Sequence, residues 1–91
     1  MKKRIECIVS GRVQMVMFRD FTCRKARGLG LVGFVKNQLD GTVNVIAEGE
    51  EKDLKKLIEM LYKGPILSKV ISVEVLWGDA GNTFKEFSIQ Y

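Results

Sequence analysis

A loop that ends on an arginine is the part of this sequence whose residue types best suit a chemical role. The segment from Val9 to Arg19 begins as the end of a predicted strand, turns at Gly11 and closes where a predicted helix starts. Such a turn leaves several backbone N–H groups unpaired at the helix N-terminus, which favours a bound anion. Arg19 adds a permanent positive charge and a planar fork of donors suited to a phosphoryl group.

The composition restricts what else such a site can contain. The chain has 91 residues, a net charge of +4 and no histidine. The commonest general base and the commonest metal ligand are therefore both missing. The spacing of Cys7 and Cys23 fits neither a metal site nor a redox pair, so we expect both to be reduced and structural. The positive charge suits an anionic ligand but does not choose between nucleic acid and a small phosphate.

The rest of the chain supplies the elements that must hold this loop. Hydrophobic residues alternate in some segments, as in strands, and recur at helical spacing in others. A short turn at Gln38–Gly41, with an Asp-Gly signal, predicts a hairpin, and we interpret Gly49 as the residue that ends the next strand. The predicted elements, in chain order, are strand one at Arg4–Ser10, helix one at Phe18–Leu29, strand two at Leu31–Asn37, strand three at Thr42–Glu48, helix two at Glu50–Tyr62, strand four at Val70–Trp77 and strand five at Phe84–Tyr91.

The order β-α-β-β-α-β with an added strand predicts a ferredoxin-like split βαβ fold of the α+β class. We expect a mostly antiparallel sheet with two helices on one face and an extra C-terminal strand. Residues 1–91 are expected to form a single domain. The strand residues predicted to face the core are Ile5, Cys7 and Val9 in strand one, Ile71, Val73, Val75 and Trp77 in strand four, and Phe87, Ile89 and Tyr91 in strand five.

This topology places one further polar residue beside the loop. Strands one and two are joined through a helix, so they run parallel and their C-terminal ends lie at the same edge of the sheet. The Gly11–Met17 loop leaves the end of strand one, and Asn37 stands at the end of strand two. We therefore expect the loop, Arg19 and Asn37 to share one rim, where α/β units commonly hold ligands.

A rim with backbone donors, an arginine and a neutral amide favours one kind of phosphate chemistry. A phosphate monoester releases an alkoxide, which needs a proton or a metal ion. An acyl phosphate releases a carboxylate, which is stable at neutral pH without a proton. Phosphoryl transfer through a loose transition state mainly needs positioning and charge stabilisation. In this hypothesis Arg19 and the loop N–H groups hold the phosphoryl oxygens, Asn37 orients a water for in-line attack, and the phosphate takes up the proton.

The residues of these segments also resemble the two signatures of a known family. Val9-x-Gly11-x-Val13-Gln14-x-Val16-x-Phe18-Arg19, followed by Gly33-Phe34-Val35-Lys36-Asn37-x-x-x-Gly41-x-Val43 and then Gly49, is similar to the patterns of acylphosphatases. The resemblance covers the whole chain. It implies a small, metal-free hydrolase that cleaves the carboxyl–phosphate bond on a ferredoxin-like fold, and no cofactor is expected.

The resemblance also implies a role for each matched position. Arg19 matches the family's phosphate-binding arginine, and Asn37 matches its water-positioning asparagine. The implied ligand is a small-molecule acyl phosphate, with phosphate or sulfate as product or analogue. The residues that match the substrate-binding cradle are Arg12, Val13, Gln14, Met15, Val16, Met17 and Phe18.

Met15 departs from the family pattern, which usually has glycine between Gln14 and Val16. Glycine in a cradle either supplies a positive φ or lets the backbone approach the ligand closely. A methionine there would crowd the phosphate, change the loop's dihedral angles or point outward, and the sequence leaves these outcomes open. An alternative function is therefore a catalytically weakened, anion-binding or regulatory homologue.

An RNA-binding module is the rival from another class, because RNA-recognition motifs share this fold. Gly33-Phe34-Val35 is faintly similar to part of their signature. However, it lies on strand two instead of strand three, and strand one carries Ile5, Cys7 and Val9 where a base-stacking aromatic residue is needed. We therefore expect no nucleic-acid partner.

The sequence carries no recognisable membrane or export signal. It has no apolar run near the ~20 residues that a membrane span needs. The basic start, Met1 to Arg4, leads straight into a strand pattern without the apolar core of a signal peptide. We expect a monomer in the cytoplasm, with no membrane partner.

Overall fold

The computed structural model describes residues 1–91, and it forms a five-stranded sheet with two helices. The strand order is β4-β1-β3-β2-β5, and every neighbouring pair is antiparallel except β2 and β5, which are parallel. This is the predicted α+β arrangement with an extra C-terminal strand. The elements are β1 at Lys2–Arg12, α1 at Phe18–Gly28, β2 at Val32–Asn37, β3 at Val43–Glu50, α2 at Glu51–Lys63, β4 at Lys69–Asp79 and β5 at Phe87–Gln90.

One face of the sheet packs against both helices and forms the core. Helix α2 buries Leu54, Leu57 and Leu61 along one stripe, as its helical spacing predicts. Burial of each leucine side chain contributes roughly 1.5–3 kcal/mol, so this stripe fixes the helix to the sheet. Neither helix is long and apolar enough to cross a membrane. The remaining fully buried hydrophobic positions include Ile5, Cys7, Val9, Val13, Phe18, Ala26, Val35, Val43, Val45, Ala47 and Phe87.

Two glycines lie where a neighbouring segment approaches the backbone closely. The interpretation that Gly49 ends strand three is wrong, because β3 continues through Gly49 to Glu50. The side chain of Leu31 packs against Gly49, so a Cβ atom there would displace the end of that side chain. Gly11 has a φ of 125° and lies against the backbone carbonyl of Lys69, where the β1–β4 register shifts. The prediction that the loop starts at Gly11 is wrong, because Gly11 and Arg12 still pair with β4 as part of β1. The positive φ of Gly11 serves the irregularity in the β1–β4 pairing, and the loop begins after Arg12.

The prediction that strand four faces inward along its whole length is wrong at its two ends. Val73 is buried and Val75 packs against the core. In contrast, the side chain of Ile71 is 76% exposed and that of Trp77 is 45% exposed. The reason is that β4 forms one edge of the sheet, where the helix layer covers only the middle of the strand.

Strand five is shorter than predicted and lies at the opposite edge, beside β2. Its pairing starts at Phe87 instead of Phe84, and Phe87 and Ile89 face the core as predicted. Arg27 in α1 fastens it, because its Nε donates to the Phe87 carbonyl oxygen at 2.9 Å. The prediction is wrong for Tyr91, whose side chain is 90% exposed. Since β5 runs parallel to β2, Tyr91 follows it to the same rim as the end of β2.

The connection from β4 to β5, residues 80–86, crosses the sheet face that the helices leave open. Its backbone N–H groups at Gly81 and Asn82 donate to the carboxylate of Glu48 at 3.0 and 3.1 Å. Glu48 is almost fully buried, and these two bonds, together with the ion pair that it forms with Arg4 at 3.9 Å, supply the partners that a buried carboxylate needs. The crossing loop therefore closes over β3 and sets the position of β5.

Candidate active site

The loop between β1 and α1 is held by hydrophobic side chains that point into the protein. Val13 and Phe18 are buried, and Val16 between them packs against the core. The two methionines of the loop point the other way: Met15 is 98% exposed and Met17 is 70% exposed. Inward and outward side chains alternate here, so the loop has a fixed shape and an open outer surface.

A side-chain amide fastens the same loop to the β2–β3 hairpin. The Nε2 of Gln14 donates to the carbonyl oxygens of Gln38 at 2.8 Å and Thr42 at 2.9 Å. The hairpin is itself braced by Asp40, which accepts hydrogen bonds from the Thr42 hydroxyl and the Thr42 N–H. These two bonds hold the pKa of the Asp40 carboxyl below its ordinary value. The NH₂ group of Gln14 therefore bonds to the hairpin, and the backbone N–H of Gln14 remains for a ligand.

The backbone of the loop leaves its donors free. No N–H group of residues 13–17 donates to a backbone carbonyl, and the first bonded amide of α1 is that of Phe21, to Met17 at 3.0 Å. Met15 and Met17 both adopt the left-handed region, with φ of 60° and 63°. This conformation costs a non-glycine residue roughly 1–2 kcal/mol. Position 15 thus has the positive φ that glycine supplies easily, and the methionine adopts it with its side chain turned outward.

Arg19 lies in the first turn of α1 and faces the C-terminal residue. Its Cζ is 4.9 Å from the ring centroid of Tyr91, a cation–π arrangement. Arg19 forms no ion pair, and the neighbouring Asp20 pairs with Arg24 at 3.0 Å. The guanidinium therefore keeps its donors and its charge for a ligand, while the aromatic ring restricts its orientation.

Asn37 reaches the same rim from β2. Both Val9 of β1 and Asn37 of β2 lie opposite Val43 in the central strand, which confirms the predicted parallel alignment of the two strand ends. The Oδ1 atom of Asn37 is buried and has no hydrogen-bond partner in the protein. Most buried polar side-chain atoms in proteins are hydrogen-bonded. This unpartnered amide oxygen, on a residue at the same rim as Arg19, is therefore the feature of the rim that most needs a ligand.

A cavity of about 250 Å³ joins these groups. It brings together Arg19, Asn37 and four of the seven predicted cradle residues. Arg12, Gln14 and Val16 do not line it: Arg12 is exposed at the end of β1, and the other two side chains serve the hairpin and the core. The lining residues are Val13, Met15, Met17, Phe18, Arg19, Asp20, Asn37, Ile89 and Tyr91.

Ile89 and Tyr91 are lining residues that the sequence did not predict. Both come from β5 and the residue after it. The position of strand five in the sheet would have predicted them, because a strand that pairs in parallel with strand two ends at the same rim. The sequence pattern identified the strand but not the edge that it joins.

A larger cavity, of about 410 Å³, lies at the opposite end of the sheet, between the start of β1 and the end of β4. Trp77 is its single hydrophobic lining residue, and charged side chains such as Lys3 and Asp79 supply most of the rest. None of the unpartnered buried polar atoms of the protein lies there. The chemistry-bearing residues therefore favour the smaller cavity as the active site.

The two cysteines lie apart from the site. Cys7 and Cys23 are both buried and both free. Burial raises the pKa of the Cys7 thiol to about 12, and the nearby Glu6 carboxylate acts in the same direction. A thiol held in its neutral form is a poor nucleophile, so Cys7 is a core residue, as its strand position predicts.

Comparison with known proteins decides the family. The family model described as acylphosphatase matches residues 5–89, which is nearly the whole chain and includes every residue that lines the cavity except Tyr91. The chain belongs to the acylphosphatase family. The resemblance carried by the two sequence signatures is therefore confirmed.

The relatives include acylphosphatases from bacteria and archaea. The chain is 43% identical to the acylphosphatase of Salinibacter ruber over 98% of its own length and 94% of the relative. It is 45% identical to that of Methanococcoides burtonii, over 93% and 88% of the two chains. Among solved structures, the acylphosphatase from Bacillus subtilis superposes with a TM-score of 0.95 at 38% identity, covering 98% of this chain and 99% of the other.

The family signatures coincide with the structural rim. In this acylphosphatase-family chain, the first signature contains the loop and Arg19, and the second contains β2 with Asn37 at its end. The alternative that these segments form an RNA-recognition motif is not supported. The chain belongs to the acylphosphatase family, and the short Gly33-Phe34-Val35 match lies on β2, not β3.

Proposed function

We propose that this protein hydrolyses acyl phosphates in the cavity formed by the β1–α1 loop, Arg19 and Asn37. The observation that supports this most strongly is the convergence of three kinds of free polar group in one cavity: unbonded loop N–H groups, an unpaired guanidinium and an unpartnered amide oxygen. The named activity of the relatives points to the same reaction.

The phosphoryl group is bound by the loop and Arg19. Successive backbone N–H groups in a tight turn form a concave anion site, and the start of α1 adds the positive end of a helix dipole. Arg19 contributes a forked, permanently charged donor. Together they hold the three phosphoryl oxygens and stabilise the negative charge that they carry in the transition state.

Asn37 positions the attacking water. An amide side chain accepts through its oxygen and donates through its NH₂ group, so it can align a water without removing its proton. The water attacks phosphorus in line with the bond to the acyl oxygen. That bond breaks, the acyl group departs as a carboxylate with the bonding pair, and the water's proton passes to the phosphate. The products are a carboxylate and inorganic phosphate, and the step uses water as its nucleophile, with no nucleophilic side chain, histidine or metal ion.

The remaining proposals concern the whole molecule. We propose that residues 1–91 act as one domain, as a monomer, and in the cytoplasm. The last proposal is supported by two buried, unpaired cysteines, which suit a reducing compartment. Inorganic phosphate, as product, and sulfate, as analogue, are proposed to occupy the same loop.

The test is hydrolysis of benzoyl phosphate by the purified protein in the presence of EDTA. We expect metal-independent turnover, and we expect Asn37→Ala to lower kcat by about 10²-fold while the inhibition constant of inorganic phosphate changes less than about twofold. Asn37 serves the water in this proposal, so phosphate binding should survive its removal. A folded wild-type protein without turnover above background would refute the hydrolase proposal and leave the anion-binding homologue. Equal kcat in the variant would refute the role of Asn37.

A further inference from the structure

Exposed apolar side chains gather at the mouth of the active-site cavity. Met15, Met17 and Tyr91 are largely exposed, and all three line this cavity. Ile89 lies beside them and is half-buried against the core. Exposed apolar groups scattered singly need no explanation, but a group of them around a functional cavity indicates a contact surface.

The cavity therefore has a polar part and an apolar part. The charged and polar groups are Arg19, Asn37 and the loop amides, and they suit the phosphoryl end of a substrate. The exposed apolar side chains of Met15, Met17 and Tyr91 border the same opening. Only the acyl part of an acyl phosphate remains to meet them, because the phosphoryl oxygens require the polar groups.

The backbone explains why both methionines face outward. Met15 and Met17 are in the left-handed region, and Val16 between them packs against the core. The loop thereby presents two flexible thioether side chains on its open surface while it keeps its amides free. Methionine is unbranched and polarizable, so it adapts to apolar partners of different shape and makes favourable contacts with aromatic rings.

We infer that Met15, Met17 and Tyr91 form an apolar rim that binds the acyl group and makes the protein prefer acyl phosphates with a large apolar or aromatic acyl part over those with a small one. This inference rests on the proposed function, because it uses the phosphoryl site to orient the substrate. It assigns Met15 a role in specificity in place of the glycine that the family usually has.

The experiment measures binding, so that it does not depend on turnover. Benzylphosphonate and methylphosphonate share a phosphonate head group and differ in the apolar part. Isothermal titration calorimetry of each with the wild-type protein is expected to show benzylphosphonate binding about tenfold more tightly. In Met15→Gln and Met17→Gln, which keep an unbranched side chain of similar length, the ratio of the two dissociation constants is expected to fall about threefold each.

The control is Leu76→Gln, an equally apolar-to-polar change at an exposed position on β4 outside the cavity. It should leave the ratio as in the wild type. A wild-type ratio near one, or a ratio that both methionine variants leave unchanged, overturns the apolar rim while benzoyl phosphate turnover still tests the hydrolase. If neither phosphonate nor inorganic phosphate binds, the proposed phosphoryl site is refuted, and the proposed apolar rim is refuted with it.

Discussion

Two loops of this protein place backbone amides close together, and they use them in opposite ways. In the connection of residues 80–86, the N–H groups of Gly81 and Asn82 donate to the buried Glu48 carboxylate. In the β1–α1 loop, the N–H groups of residues 13–17 have no backbone acceptor. Each loop also contains a non-glycine residue with positive φ: Asn82 in the first, with φ of 56°, and the two methionines in the second.

The difference shows how one fold separates stability from function. Glu48 of β3 supplies the 80–86 loop with an anion from within the protein, so the amides of Gly81 and Asn82 are bonded when the chain folds. The β1–α1 loop is held by other means, namely buried hydrophobic side chains and the Gln14 bonds to the hairpin. Its amides can therefore stay unpaired without unfolding the loop. An external anion at this loop is the counterpart of Glu48 at the other.

Arg19→Ala gives the largest expected effect and tests the site formed by the β1–α1 loop. We expect kcat/KM for benzoyl phosphate to fall on the order of 10³-fold, because an arginine on a transferring phosphoryl group contributes on that scale. Thermal unfolding should change little, since Arg19 makes no ion pair. The control is Lys56→Ala, which also removes one positive charge, at an exposed position of α2 that forms no ion pair and lies outside the cavity. A similar loss of activity in both variants would assign the effect to net charge instead of the site.

Glu48→Gln tests how much the 80–86 loop contributes to stability through its bonds to Glu48. The glutamine oxygen can accept from one of the two amides, but its NH₂ group faces the other donor. We expect the free energy of unfolding to fall by about 2 kcal/mol, measured by chemical denaturation. Glu74→Gln, on the exposed face of β4, should change it by less than about 0.5 kcal/mol. Equal stability of the two variants would mean that the 80–86 loop does not depend on its internal anion.

Tyr91→Ala tests whether the ring restricts Arg19. A cation–π contact at an exposed site contributes about 0.5–1 kcal/mol, so we expect phosphate to bind about two- to fivefold more weakly. Tyr91→Phe keeps the aromatic face and should retain wild-type affinity, as measured by calorimetry. A loss in Tyr91→Phe as large as that in Tyr91→Ala would point to the hydroxyl group instead of the ring.

Met15→Gly gives the smallest expected effect and tests how much backbone strain the β1–α1 loop contains. Glycine adopts φ of 60° without a steric penalty, but it also gives the unfolded chain more freedom. These terms nearly cancel, so we expect the free energy of unfolding to change by less than about 1 kcal/mol and inorganic phosphate still to bind. Destabilisation by several kcal/mol would show that the Met15 side chain supports the loop.

The sequence predicts that Arg19 and Asn37 lie at the same rim, because local patterns and strand topology are sufficient for that prediction. Arg19 follows a turn at a helix start, and Asn37 ends a strand that must run parallel to strand one, so their proximity needed no packing detail. Tyr91 was misplaced because its position depends on which edge strand five joins. The role of Glu48 was missed for a similar reason, because its partners are amides distant in sequence that only tertiary packing brings to it.

The most direct measurement of the central claim is a titration of ¹⁵N-labelled protein with inorganic phosphate, followed by the chemical shifts of the backbone amides. We expect saturable shifts for residues 13–19, no comparable shift for Gly81 and Asn82, whose donors are already used, and loss of the response in Arg19→Ala. Unchanged amides at residues 13–19, or a response centred elsewhere on the sheet, would contradict the assignment of this loop as the phosphoryl site.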